Sequence, residues 1–237
     1  MVNRCSILYV SPSSNDMYLI REALQDPLVF QAAFRSLWIS SLSVALAALV
    51  GLPLGMLLAW VQFSGRWAVV LLFRAGMALP TVFVGLICFG VFSRQGLLGP
   101  MELIFTPWAI VAGEFVLALP IMVSITHGAL KALDRRVGET SLTLGAGVLW
   151  RWRTYISEAR VGVTLAILTA FARCVTELGI AMMVGGNIKD RTRTLATATA
   201  LETGKGEFGR GMAMGLILLL VALVVMAGIV MVGREEK

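Results

Sequence analysis

Residues 211–233 form an apolar run without a single charged side chain. A run of about 20 apolar residues is the length that an α-helix needs to cross the hydrocarbon core of a bilayer. Backbone N–H and C=O groups find no water there, so only helices and closed barrels span it. The run therefore predicts a transmembrane helix and places the chain among membrane proteins.

Four further runs are predicted to cross the membrane, which makes five spans in all. Pro80 and Pro120 interrupt two of them, and an internal proline removes a backbone donor and bends a helix. Gly51 and Gly55 form a GxxxG pattern, which favours close packing of helices in membranes. Glu114 lies near the start of its run and is expected at the membrane interface. The four runs cover residues 37–61, 67–92, 108–127 and 161–184.

The composition agrees with a membrane protein. Hydrophobic residues make up 58% of the 237-residue chain and charged residues only 14%, against about 25% charged residues in an ordinary soluble domain. These values exclude a soluble α/β enzyme, a disordered chain and a disulfide-rich secreted scaffold. The net charge of +6 is explained by basic loops beside a membrane, so no nucleic acid partner is expected.

The predicted organisation has one transmembrane domain and two short ends. We interpret the N-terminal part as a tail that ends in an amphipathic segment, and Met17 is an alternative start of the chain. The predicted boundaries are 1–32 for the tail, with 1–16 ahead of the alternative start, 33–233 for the domain, 129–160 for its longest polar loop and 234–237 for the C-terminal end.

No residues in the sequence have the spacing of a catalytic or metal site. Cys5, Cys88 and Cys174 lie far apart, and His127 is the one histidine, so a site built from Cys and His is not expected. Gly204-Lys205-Gly206 lacks the spacing and the hydroxyl of a phosphate-binding loop. We therefore expect no catalytic residue, no metal and no cofactor bound by this chain.

The polar loop 129–160 contains no proline and is predicted to form two short helices broken at Gly145–Gly147. Its segment GETSLTLGAGVLWRWRTYISEAR resembles the EAA motif of ABC importer permeases. Glu139 and Gly145 match the glutamate and the glycine of that motif. An ordinary amphipathic loop helix is the alternative. The residues that the resemblance assigns to ATPase coupling are Glu139, Thr140, Ser141, Leu144, Gly145, Ala146 and Gly147, with Thr140 and Ser141 in place of two alanines.

A second segment carries the same resemblance. AFARCVTELGIAMMVGGNIKDRTRTLATATALE, residues 170–202, is similar to the corresponding region in the molybdate, tungstate and sulfate branch of these permeases. Five spans, together with MMVGGNIKD and ALETGKGEF, make the chain most similar to the tungstate permeases of that branch.

This resemblance implies an all-α integral membrane protein with the type I ABC importer permease fold and a cytoplasmic coupling helix. It implies a homodimer with two ATPase subunits, which bind ATP and Mg, and with an extracytoplasmic oxyanion-binding protein. The chain would cross the cell membrane several times, in contact with lipid, with its N-terminus outside and its C-terminus in the cytoplasm. Lys and Arg divide almost evenly between the two sides, so the orientation rests on the resemblance.

The implied function is import of an oxyanion by alternating access, with tungstate as the favoured substrate. Molybdate or sulfate is the alternative within the family. A membrane anchor subunit without a transport role is the alternative outside it, but an anchor has no need for a mobile helix–Gly–helix loop.

Five residues are candidates for the pathway or a gate. Arg173 and Glu177 are four residues apart, which predicts one face of a helix. They either form a mutual ion pair, or Arg173 attracts the oxyanion, or the pair exchanges partners during gating. Asn187, Arg191 and Arg193 lie in a basic loop, which is either simply solvated or part of an outer vestibule for the anion or the binding protein.

Overall fold

The structure is a computed structural model that describes residues 27–234, apart from the side chains of residues 135, 142 and 232–234. Within these limits the chain is helical and has no strand. The predicted tail up to residue 26, the alternative start at Met17 and residues 235–237 lie outside the described residues. The helices are α1 (Pro27–Trp60), α2 (Arg66–Gly76), α3 (Thr81–Phe92), α4 (Pro107–Lys131), α5 (Arg135–Thr143), α6 (Val148–Glu158), α7 (Arg160–Val175), α8 (Gly179–Gly185), α9 (Leu195–Gly204) and α10 (Phe208–Arg234).

Three of these helices are long and apolar enough to cross a membrane, namely α1, α4 and the Phe208–Met231 part of α10. Two pairs of helices, α2 with α3 and α6 with α7, reach the length of a span together but are bent by 103° and 73°. By length and composition, the described part of the chain therefore has three clear spans, and up to five when each bent pair counts as one span. The α6–α7 pair does not coincide with the predicted span over 161–184, because α6 lies in the predicted polar loop 129–160.

The second predicted span breaks at Pro80 rather than bending there. Helix α2 ends at Gly76, and Pro80 adopts an extended conformation immediately before α3 begins. Proline has no N–H to donate, and its ring disfavours a helical conformation for the residue before it. The predicted interruption at Pro80 is confirmed, but it is a complete break between two helices and not a bend within one helix.

The predicted continuous helix over 161–184 is wrong. Helix α7 ends at Val175 and α8 begins at Gly179. The Thr176 hydroxyl donates to the Ala172 carbonyl oxygen at 2.8 Å, a side-chain bond of the kind that competes with the helical backbone pattern. Arg173 and Glu177 therefore do not share one helical face, because Glu177 lies in the break.

Helix α1 packs along α4 at very short distance. A Cβ atom built on Gly51 would lie 2.8 Å from the Met122 Cβ, and one on Gly55 would lie 2.9 Å from the Thr126 Cβ. The close packing that the GxxxG pattern predicts is therefore confirmed, with α4 as the partner.

The contacts of α1 define two ends of the molecule. At its start, the Ser36 hydroxyl accepts a hydrogen bond from the Leu195 N–H at 2.8 Å; we call this the α9 end. At its finish, the Trp60 ring packs on the Tyr155 ring with centroids 3.9 Å apart; we call this the α5 end. A helix of 34 residues is roughly 50 Å long, so the α9 and α5 ends lie on opposite sides of the molecule.

The α1–α4 contact gives a stability prediction with a matched control. Gly55→Ala should destabilise the protein by about 1–3 kcal/mol because the added methyl group overpacks a tight contact. Gly128→Ala in α4 should leave stability unchanged or slightly higher, since nothing lies within 4 Å of the new Cβ and alanine is the better helix former. Thermal unfolding of the detergent-solubilised variants measures both effects, and equal unfolding temperatures would contradict the close contact.

Candidate functional site

The polar loop contains the predicted break between two helices. Helix α5 ends at Thr143, and α6 begins at Val148 after Gly147. Gly145 has a φ of +69°, and the Ala146 N–H donates to the Ser141 carbonyl oxygen at 3.0 Å. This is a Schellman turn with glycine in the left-handed position. Nothing lies within 4 Å of a Cβ on Gly145, so the backbone conformation alone favours glycine here.

The turn presents an apolar surface to its surroundings. The side chains of Leu144, Val148, Leu149 and Trp150 are 79%, 70%, 82% and 65% exposed, respectively. We call these four residues the apolar tip. Contiguous exposed apolar residues mark a surface that another protein or a membrane covers.

The predicted coupling residues lie around this tip with different exposures. Glu139, Thr140, Leu144, Gly145 and Gly147 are exposed, Ala146 is half-buried and Ser141 is buried. The Ser141 hydroxyl donates to the Gly138 carbonyl oxygen at 2.8 Å, so this side chain serves the internal packing of α5. Glu139 lines a cavity of about 600 Å³ between the ends of α1, α4 and α5, together with Lys131 and Asp134.

A contact that the sequence analysis missed holds the loop against α1. Tyr155 is only 8% exposed and packs between α1 and α5. Its ring contacts Trp60, and its hydroxyl lies where a Cβ on Gly138 would be. The α5–α6 loop meets the end of α1, which is distant in sequence, so no local pattern signals the contact. The aromatic character of Trp60, at the end of α1, and of Tyr155, within α6, is the one available clue.

Glu177 caps α8 more closely than it pairs with Arg173. Its carboxylate accepts a hydrogen bond from the Ile180 N–H at 3.1 Å, whereas the ion pair with Arg173 spans 3.9 Å. The Glu177 side chain is 2% exposed and that of Arg173 is 42% exposed. A carboxylate at a helix N-terminus is favourable, and a half-exposed ion pair contributes little.

Glu114 is buried between helices, and its predicted position at the membrane interface stays a prediction. Its residue exposure is 2%, and Oε2 has no hydrogen-bond partner among the described residues. The hydroxyls of Ser40 and Ser43 of α1 lie beside its carboxyl group. The serine cluster in the first apolar run was the signal that could have identified this polar contact between helices.

The basic loop at the α9 end is folded by its own hydrogen bonds. The Arg193 Nε donates to the Asn187 Oδ1 at 3.2 Å, and the Asn187 amide donates to the Thr197 carbonyl oxygen at 3.4 Å. Arg191 is exposed and lines a cavity of about 530 Å³ with Arg94 and Glu102. Asn187 and Arg193 thus shape the loop, whereas Arg191 presents its charge to a cavity.

The predicted residues form two separate groups rather than one site. The coupling residues lie at the α5 end, and Asn187, Arg191 and Arg193 lie at the α9 end. Within residues 27–234, no group of three His, Cys, Asp or Glu side chains is placed to hold a metal ion.

Comparison with known proteins identifies the family. Residues 51–235 match the family described as the binding-protein-dependent transport system inner membrane component. The chain belongs to this family.

Two relatives and the fold of one solved structure are consistent with this family. A probable anion ABC transporter permease protein of Haloferax volcanii is 37% identical over 193 residues, 79% of this chain and 83% of the relative. The tungstate uptake system permease protein TupB of Campylobacter jejuni is 38% identical over 197 residues, covering 83% of this chain and 82% of TupB. The fold matches a bacterial ABC transporter involved in the import of the acidic polysaccharide alginate, with a TM-score of 0.74 at 14% identity, over 97% of this chain and 86% of that one.

The chain is therefore an all-helical membrane permease subunit of an ABC importer, as its sequence predicts. It works with a separate ATPase and a binding protein, and ATP hydrolysis belongs to the partner subunit.

The role of Glu177 can be tested by stability measurements. Glu177→Ala should cost about 1–3 kcal/mol because the buried Ile180 N–H loses its acceptor. Glu177→Gln keeps an acceptor oxygen and should cost less, and Arg173→Gln should change stability by less than about 1 kcal/mol. Thermal unfolding compares the three variants. An Arg173→Gln variant as unstable as Glu177→Ala would show that the ion pair dominates.

Proposed function

We propose that this permease imports a tetrahedral oxyanion and that tungstate is its substrate. The observation that carries the substrate is the similarity, over most of the chain, to a tungstate uptake permease. The similarity to a permease described as one for anions supports the wider class. Molybdate and sulfate share the shape and charge of tungstate, and the uptake experiment below separates them.

The proposed assembly contains two copies of the chain and two ATPase subunits that bind ATP and Mg. One copy supplies half of the pathway. Helix α3 exposes Val82, Phe83, Leu86 and Ile87, each by more than half, and this surface suits lipid or a second copy. In this assembly the α5 end faces the cytoplasm and the α9 end meets the extracytoplasmic binding protein. The N-terminus is then outside and the C-terminus inside.

The proposed coupling runs through the apolar tip. Its exposed side chains dock into a cleft on the ATPase, and Gly145 allows the sharp turn that presents them. When ATP closes the ATPases, the docked loops move together. The motion reaches α1 through the packing of Tyr155 on Trp60, and the spans rock so that the path opens outward. The two ends must make different contacts in the two states, because only such differences couple ATP to transport.

The proposed pathway residues have unequal roles. Arg173 is partly exposed and Arg191 lines a cavity, so these cations attract the anion. Glu177, Asn187 and Arg193 position the backbone around them. An Arg173→Gln variant that folds and transports normally would contradict the role of that cation.

The substrate is tested by uptake into proteoliposomes that contain the permease, its ATPase and its binding protein. Tungsten should accumulate inside only when ATP is supplied, as measured by mass spectrometry of the metal. An excess of sulfate should leave the rate unchanged, and molybdate should compete less well than unlabelled tungstate. Accumulation of molybdate or sulfate in preference to tungstate would overturn the substrate assignment.

The coupling role of Gly145 is tested in the same vesicles. Gly145→Pro should abolish ATP-driven uptake, because proline fixes φ near −65° where the turn needs +69°. Gly145→Asn is the matched control, since asparagine tolerates the left-handed conformation and open space surrounds the site. Uptake by the proline variant at the normal rate would contradict the proposed coupling.

A further inference from the structure

Four basic side chains converge on one pocket at the α9 end. The pocket has a volume of about 370 Å³ and lies between the start of α1, the loop before α9, α9 itself and the start of α10. Its cations are Lys189, Arg193, Lys205 and Arg210, and Glu202 is the one carboxylate among the lining residues.

The charges in this pocket are not balanced. The lining residues include four cations and one carboxylate, and that carboxylate, Glu202, forms an ion pair with Lys205 at 2.8 Å. Lys189 is exposed and forms no hydrogen bond or ion pair with another described residue. Asp190 and Glu207 are close in sequence but do not line the pocket. A concave surface with an excess of positive charge concentrates anions.

The pocket is held in place by contacts that do not involve a ligand. The Arg193 carbonyl oxygen accepts a hydrogen bond from the Arg35 guanidinium at 3.0 Å, which ties the loop to α1. Thr194 and Thr197 form a reciprocal cap at the start of α9. A preformed site loses little entropy when it binds.

One wall of the pocket is apolar. Leu28, Val29, Ala198 and Met214 line it. Met214 belongs to α10, so the apolar wall joins the start of α1 to α9 and α10. The site therefore offers cations to a charged group and apolar surface to whatever is attached to it.

We propose that this pocket binds a phosphate-type oxyanion group, carried by an anionic phospholipid or by a free tetrahedral oxyanion. Ammonium and guanidinium groups form short charge-assisted hydrogen bonds with such oxygens. The site belongs to a single chain and lies at the opposite end of α1 from the coupling loop. Binding of a phospholipid does not depend on the proposed substrate or on ATP coupling, whereas binding of tungstate here rests on the proposed function.

Three single substitutions test the site in the purified full-length permease. Lys189→Gln should weaken binding about tenfold, since it removes one charge-assisted contact. Glu202→Gln should strengthen binding, because it removes the opposing carboxylate and frees Lys205. Arg136→Gln at the α5 end removes the same charge far from the pocket and should leave binding unchanged.

Two probes separate the sources of the anionic group. Native mass spectrometry counts phosphatidylglycerol molecules retained by the permease after exchange against phosphatidylcholine. Calorimetry with tungstate and with inorganic phosphate measures the binding of free anions. Either probe supports the site when its binding is strongest to Glu202→Gln, intermediate to the wild type and weakest to Lys189→Gln. Each variant must also elute as the wild type does in size-exclusion chromatography. No binding of any probe, or equal weakening by Lys189→Gln and Arg136→Gln, overturns it.

Discussion

The close packing of α1 against α4 is the constraint on which the rest of the structure depends. Lipid tails are as apolar as leucine, so helices in a membrane associate through close contact rather than through expulsion of water. Gly51 and Gly55 make that contact possible because a side chain at either position would overlap with α4. With α1 fixed in this way, its start reaches the basic loop at the α9 end and its finish reaches Tyr155 at the α5 end.

The two ends of the molecule consequently have different chemistry. The α5 end combines a rigid turn at Gly145 with an apolar tip, and both suit a partner protein that moves the loop. The α9 end combines cations with a hydrogen-bonded loop, which suits anions and their carriers. In the proposed mechanism the permease uses both ends, and α1 is the one long helix that contacts both.

The sequence predicted the features that depend on local patterns. The apolar runs, the proline at the second span, the glycine turn after α5 and the GxxxG contact all follow from periodicity and from the conformations of glycine and proline. Burial of Glu114 against Ser40 was missed because it depends on the pairing of α1 with α4, and the serines of the first apolar run are its one local signal. The cap that Glu177 makes on α8 was also not predicted, because it depends on the break between α7 and α8. In a continuous helix, the spacing of Arg173 and Glu177 indicates an ion pair instead.

The most direct test of the central claim is where the ATPase touches the chain. A photoreactive amino acid can replace Leu144, which is 79% exposed at the α5 end, or Leu97, which is 89% exposed in the loop after α3. The account predicts that, in assembled transporter, illumination links residue 144 to the ATPase subunit and leaves residue 97 unlinked to it. Linkage of residue 97 to the ATPase, with none from residue 144, would contradict the account.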